Sequence, residues 1–128
     1  MRINHSKVYK NGPKSGIEYE FLTSIDCNEN HHNVYLKDLG IVDFIDGNKI
    51  IEFYGDYWHC NPKDKRFSDG KMFHPYLKMT ASEKWEFDNT RINKLKSAGY
   101  DVKVVWEMDY KNNKELIIED CRRFLNEK

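Results

Sequence analysis

The 128-residue chain carries 21 basic and 21 acidic side chains, so its formal net charge is zero and says nothing about a nucleic-acid partner. Its length suits one domain with a proper core. Three cysteines (Cys27, Cys60, Cys121) form no CxxC pair, which argues against a disulfide framework or a structural zinc site and for a reducing, cytoplasmic setting. No signal peptide or membrane-length apolar run is visible.

Residues 1–14 contain Arg2, Lys7, Lys10 and Lys14 and no acid, and Asn11-Gly12-Pro13 breaks regular structure. This stretch reads as a basic arm or linker, with residues 15–128 as the folded domain. Ser15-Gly16-Ile17-Glu18 has capping-box spacing and predicts a helix to about Cys27. At about 100° per residue, Glu18 falls within the stripe of Ile17, Phe21, Leu22 and Ile25, and Glu20 outside it. A purely local capping role and a functional role both fit Glu18. His31 and His32 read as surface residues, and a first strand begins near Val34.

Two strands then flank a tight turn in the stretch from Ile41 to Tyr54. Alternation puts Ile41, Asp43 and Ile45 on one face and Val42 and Phe44 on the other; Ile50, Glu52 and Tyr54 likewise share a face. Both Asp46-Gly47 and Gly47-Asn48 are good two-residue turns, and either puts Asp43 and Glu52 on the same face. Facing like charges destabilise a sheet unless compensated, and a hard cation is one compensation.

Tyr57-Trp58-His59 leaves the sheet on a loop, where large aromatics either pack a core or stack on bases. Residues 61–79 form a long loop whose Lys63, Lys65, Arg66, Lys71 and Lys78 outnumber Asp64 and Asp69 and can track phosphates. Thr80-Ala81-Ser82-Glu83 is a second capping box, and its helix stops at Gly99. Asp88 sits in that helix's stripe of Ala81, Trp85, Ile92 and Leu95, a local inconsistency of the kind found at sites. A strand over Val102–Glu107 follows. From Asn112 a last helix turns Leu116, Ile117, Cys121, Phe124 and Leu125 inward. Strands interleaved with helices predict an α/β fold with a mixed central sheet flanked by helices.

Glu18, Asp43, Glu52, His59 and Asp88 can form one site. Asp43, with Glu52 or a main-chain carbonyl near Phe53, would bind Mg²⁺, for which Mn²⁺ can substitute, because the ligands are oxygens and no thiolate site is present. His59 would take a proton from water, Asp88 would orient the imidazole, and Glu18 would hold a water or a second ion.

Across roughly residues 15–110 the chain resembles the very-short-patch-repair-like nucleases, and within them the EDxHD homing endonuclease catalytic domains of the PD-(D/E)xK superfamily. The resemblance rests on Ile17-Glu18, Leu39-Gly40-Ile41-Val42-Asp43-Phe44, Gly55-Asp56-Tyr57-Trp58-His59, Asp88 before Arg91-Ile92-x-x-Leu95, and Gly99-Tyr100-Asp101-Val102 running into Val105-Trp106-Glu107. It implies a restriction-endonuclease-like core (αβββαβ) and magnesium-dependent hydrolysis of double-stranded DNA. It maps the family's acidic and histidine residues onto Glu18, Asp43, His59 and Asp88. Tyr57 and Trp58 would be the DNA wedge, and Arg91 joins the loop cations as a DNA contact. A homing type would fit a phage or mobile-element origin.

Two departures are visible. Asp56 and Met108 stand where two zinc-binding cysteines of the repair enzymes are found, so no structural zinc is expected. Tyr54 stands where the superfamily motif has lysine, which leaves the base to His59. Both favour a homing-type enzyme over a mismatch-specific repair nickase. A DNA-binding module on a non-catalytic nuclease fold is the third reading. So short a chain has little room for sequence readout, which points to a separate DNA-recognition domain or a homodimer.

Overall fold

The computed structural model describes residues 16–127. The expected basic arm and the Ser15 half of the first capping box lie outside them. The first helix, α1 (Gly16–Ile25), ends two residues earlier than expected, and a single 3-10 turn (Glu29–His31) leads into β1 (His32–Leu36). Strands β2 (Gly40–Asp46) and β3 (Lys49–Tyr54) form the hairpin. A two-stranded ribbon, β4 (Phe73–His74) and β5 (Met79–Thr80), precedes α2 (Ala81–Ser97). Then come β6 (Asp101–Trp106), the short α3 (Glu107–Asn112) and α4 (Lys114–Asn126). The ribbon and α3 are not apparent from the sequence: two-residue strands carry no periodicity, and α3 reads as a strand continuation until Glu107.

The main sheet runs β1-β2-β3-β6, antiparallel between the first three strands and parallel between β3 and β6. The hairpin turn is Gly47-Asn48, because Asp46 pairs with Lys49, Ile45 with Ile50 and Phe44 with Ile51. Every residue of β3 is buried, as a central strand covered on both faces requires. One layer joins α1 and α4 to the sheet through Phe21, Leu22, Phe44, Ile51, Phe53, Val105 and Cys121. The other joins α2 through Val42, Ile50 and Leu95, with Ile92 and Val102 at its margin. Buried Lys49 pairs with Asp101 at 2.9 Å and covers the Phe124 ring at 4.8 Å.

Three expectations are corrected. Val42 and Phe44 do not share a face: Val42 packs in the α2 layer and Phe44 in the α1 layer. Strict alternation fails at Asp43, where the strand inverts. His32 is buried rather than superficial, its Nε2 lying 2.7 Å from the Asp26 carbonyl. That contact satisfies an imidazole inside the sheet edge. Leu116 is exposed, because it lies about 100° around the helix from Ile117, on the side of Arg123. Ile118 takes the inward place instead.

The connection from Gly55 to Met79 folds around its own small core of Cys60, Phe67 and Ala81, with Tyr57, Leu77 and Trp85 against it. Asp56 Oδ1 accepts from Asn61 Nδ2 at 2.8 Å and from the Met108 amide at 3.2 Å, so the loop is clipped to the start of α3. Fully buried His74 accepts the Tyr76 and Leu77 amides at Nδ1. Its Nε2 therefore carries the proton and donates to the Tyr57 carbonyl at 3.1 Å. The Trp85 indole donates to the Cys60 carbonyl at 2.6 Å, which fixes the loop on α2.

Gly70 is the tightest point of this packing. It has φ of 77°, and a Cβ there would collide with Ser82 Oγ and meet the Trp85 ring at 3.1 Å. Gly70→Ala is expected to cost about 2–4 kcal/mol of stability, from left-handed strain and overpacking together. A urea melt checks this; a loss within the ±0.5 kcal/mol of ordinary surface changes would refute it.

Candidate functional site

The hairpin brings two acids together. With Phe44 paired to Ile51 the next rung is Asp43–Glu52, but the main-chain register stops there. Side chains take over: the Asp43 amide donates to Glu52 Oε2 at 2.9 Å, and the Phe53 amide donates to Asp43 Oδ2 at 2.7 Å. Glu52 is 5% exposed. Burial, and then the charge of Asp43, push its carboxyl up to about 7, although Arg91 and the Asp43 amide pull it back. Arg91 reaches in from α2, donating through Nη1 to Glu52 Oε1 at 2.6 Å and through Nη2 to the Ile41 carbonyl at 2.7 Å.

A second pair lies beside the first. His59 Nδ1 and Asp88 Oδ2 are 2.8 Å apart, and Lys84 Nζ is 3.0 Å from Asp88 Oδ1. Burial raises the Asp88 carboxyl, but the hydrogen bonds and charges of His59 and Lys84 more than offset it and leave it below the ordinary range. The Tyr54 ring stacks on the His59 imidazole, 3.8 Å between centroids and 1° from parallel. Burial raises the Tyr54 hydroxyl's pKa, with Asp88, Glu52 and Asp43 adding to it and Arg91 opposing. Tyr54 thus feels both carboxylate groups. Position 54 links the strand that carries Glu52 to the loop that carries His59.

Glu18 is half-buried on α1 with its Oε2 atom inaccessible to solvent, and α1 packs on the sheet layer opposite α2. Glu18 and Asp88 are therefore delivered from opposite layers. Tyr57 packs into the loop core, whereas Trp58 is about half exposed and lies 5.7 Å from the largely exposed Tyr76. Lys63 reaches Asp109, Arg66 forks onto Asp64 and covers the Tyr57 ring, and Lys65 is exposed. Of the cations expected to meet a nucleic acid, Arg91 is engaged internally by Glu52.

Sequence reasoning alone misses several contributors. Lys84 stands four residues before Asp88, a helical ion-pair spacing that the sequence displays plainly. Tyr54 stands out along the chain only as a departure from lysine. Asn33, opposite the Asp43 rung, has φ of 53° and is 6% exposed; no donor among the described residues reaches its Oδ1. An asparagine in a strand-forming run is the only signal for it. A separate group, Asp26, His31 and Asp46, brings ligand-type atoms within 4.8 Å of one another. It is illegible in the sequence because strand pairing assembles it: His32 pairs with Phe44 at that end of the sheet.

The Asp43 rung suits a hard divalent cation. Its side-chain donors are oxygens, the charge of Asp43 raises the buried Glu52 carboxyl, and Asn33, across the strand, carries an unsatisfied oxygen. No family model, curated protein or solved structure matches the chain. Among the described residues no helix is long and apolar enough to cross a membrane.

The raised Glu52 carboxyl has a measurable consequence. Its folded pKa of about 7 lies above the ordinary 4.5, so between those values the folded chain holds a proton that the unfolded chain releases. The stability it contributes is complete below about pH 4.5 and is lost as pH rises through about 7. Melting temperature should fall over that window, and Glu52→Gln should flatten the fall. An equal slope in the variant would contradict the assignment.

Proposed function

We propose that this chain is a Mg²⁺-dependent endonuclease acting on double-stranded DNA. In this reading its mixed sheet is a restriction-endonuclease-like core and the chain is the catalytic domain of a homing-type enzyme. The observation that carries the reading is the His59–Asp88 pair set beside the Asp43–Glu52 pair and bridged by Tyr54. A carboxylate pair alone is common; one adjoining an oriented imidazole is the equipment of phosphodiester hydrolysis.

Asp43, with Glu52 or the main chain near Phe53, would hold the cation, which when bound supplies charge to polarise the scissile phosphate. The protein's own groups do the rest. Asp88 accepts the Nδ1 proton of His59, which fixes the ring and leaves Nε2 with its lone pair for the proton of an attacking water. Imidazole suits this exchange near neutral pH. Lys84 pairs with Asp88 from one turn away and holds it in place. Tyr54 prevents the ring from tilting. Glu52 is shared between Arg91 and the Asp43 amide, so its first role is to hold the Asp43 rung. Trp58 and Tyr76 offer exposed ring faces to bases, and Lys65 offers charge to phosphates.

A plasmid-nicking assay tests the reading. Cleavage is expected with Mg²⁺ and should vanish with chelator. His59→Ala should lower the rate by about 10²–10⁴-fold, the usual worth of a general base. Asp43→Ala should abolish cleavage, with the fold retained by circular dichroism. Cleavage at the parent rate by either variant would sink the mechanism. Preference for a mismatched over a matched duplex would shift the reading to a repair nickase.

A further inference from the structure

Both strands that meet at Asp43 change face on the same rung. In β2, Val42 packs in the α2 layer and Phe44 in the α1 layer. In β1, Val34 packs in the α2 layer, whereas His32 meets the Phe44 ring at 5.8 Å. Residues two apart in a strand should point the same way. The residues at which the inversion occurs are Asn33 and Asp43. The pairs His32–Phe44 and Val34–Val42 bracket them, so Asn33 stands across from Asp43. Facing residues of antiparallel strands have Cα atoms about 4.5–5.5 Å apart.

Asn33 carries two local costs at this rung. Its backbone is left-handed, with φ of 53°, inside a strand. Its side chain is buried, at 6% exposure, with no donor among the described residues reaching Oδ1. The unsatisfied Asn33 oxygen and the Asp43 carboxyl thus belong to facing residues of the two strands. A cation, or a water held by one, satisfies both oxygens at once. Glu52 is less available for the purpose, since Arg91 occupies one of its oxygens and the Asp43 amide the other.

We propose that Asn33 Oδ1 is a further oxygen ligand, direct or through a water, of the divalent cation held at Asp43. This rests on the metal-dependent reading above. It assigns the left-handed asparagine a role that neither strand pairing nor packing supplies. Under this assignment β1 is part of the site, and the inverted rung exists to turn two oxygens toward one point.

Mn²⁺ binding by the full chain, followed through the electron paramagnetic resonance signal of free Mn²⁺ and competed with Mg²⁺, tests this without any assay of cleavage. Asn33→Gly keeps the positive φ and removes the oxygen. It should weaken Mn²⁺ by at least about tenfold, at the lower end of what altering a metal's surroundings costs. Asn33→Asp keeps an oxygen and tolerates the backbone, and should bind at least as tightly as the parent. Asp43→Asn should lose the site. Parent-like affinity in Asn33→Gly, or weaker binding in Asn33→Asp, overturns the role of Asn33 while leaving the Asp43 site standing. A parent chain whose Mn²⁺ binding does not change with Asp43→Asn overturns the metal reading and this inference together.

Discussion

Negative charge buried in the central sheet is the constraint around which this protein is arranged. Asp43 and Glu52 face one another where β2 and β3 part, and Asp88 descends on the same side. Glu52 and Asp88 are buried and need partners, since an unpaired buried charge costs several kcal/mol or titrates away. Helix α2 brings the partners. Lys84, Asp88, Arg91 and Leu95 follow one another at helical spacing, so one stripe carries a cation for Asp88, a cation for Glu52 and the apolar residue that seats the helix on Ile50. The Thr80–Glu83 capping box fixes where this stripe begins.

The loop from Gly55 to Met79 answers a different need. His59 must stand over Tyr54 with its Nδ1 toward Asp88, and a flexible connection would not hold it there. Phe67, Cys60 and His74 give the loop its own interior. Asp56 ties its start to α3, and Trp85 ties Cys60, just after His59, to α2. The imidazole is thus held by a stacked ring, a carboxylate and a loop anchored on either side of it, which is the kind of support a positioned general base requires.

Much of this is legible along the chain. The stripe of α2 singles out Asp88 because an acid interrupts an apolar series, and the turn residues Gly47-Asn48 offer the register that the hairpin adopts. His59 stands out for its aromatic neighbours. The inversion at Asp43 is not legible, because alternation is an average property of strands and fails where side chains replace ladder hydrogen bonds. His32 is misread from the sequence for a related reason: whether an imidazole is buried depends on an acceptor, here the Asp26 carbonyl, that the fold presents.

By itself the sequence determined the order of the main strands and longer helices, the stripe of α2 and the identity of the acids that interrupt it, since these follow from spacings of two, three or four residues. Only tertiary structure decided partners that no spacing announced: Arg91 for Glu52, 39 positions away, Lys49 for Asp101, 52 positions away, and Asn33 across from Asp43. Periodicity acts locally through backbone geometry, whereas charge compensation acts through space and waits until the chain has brought its distant segments together.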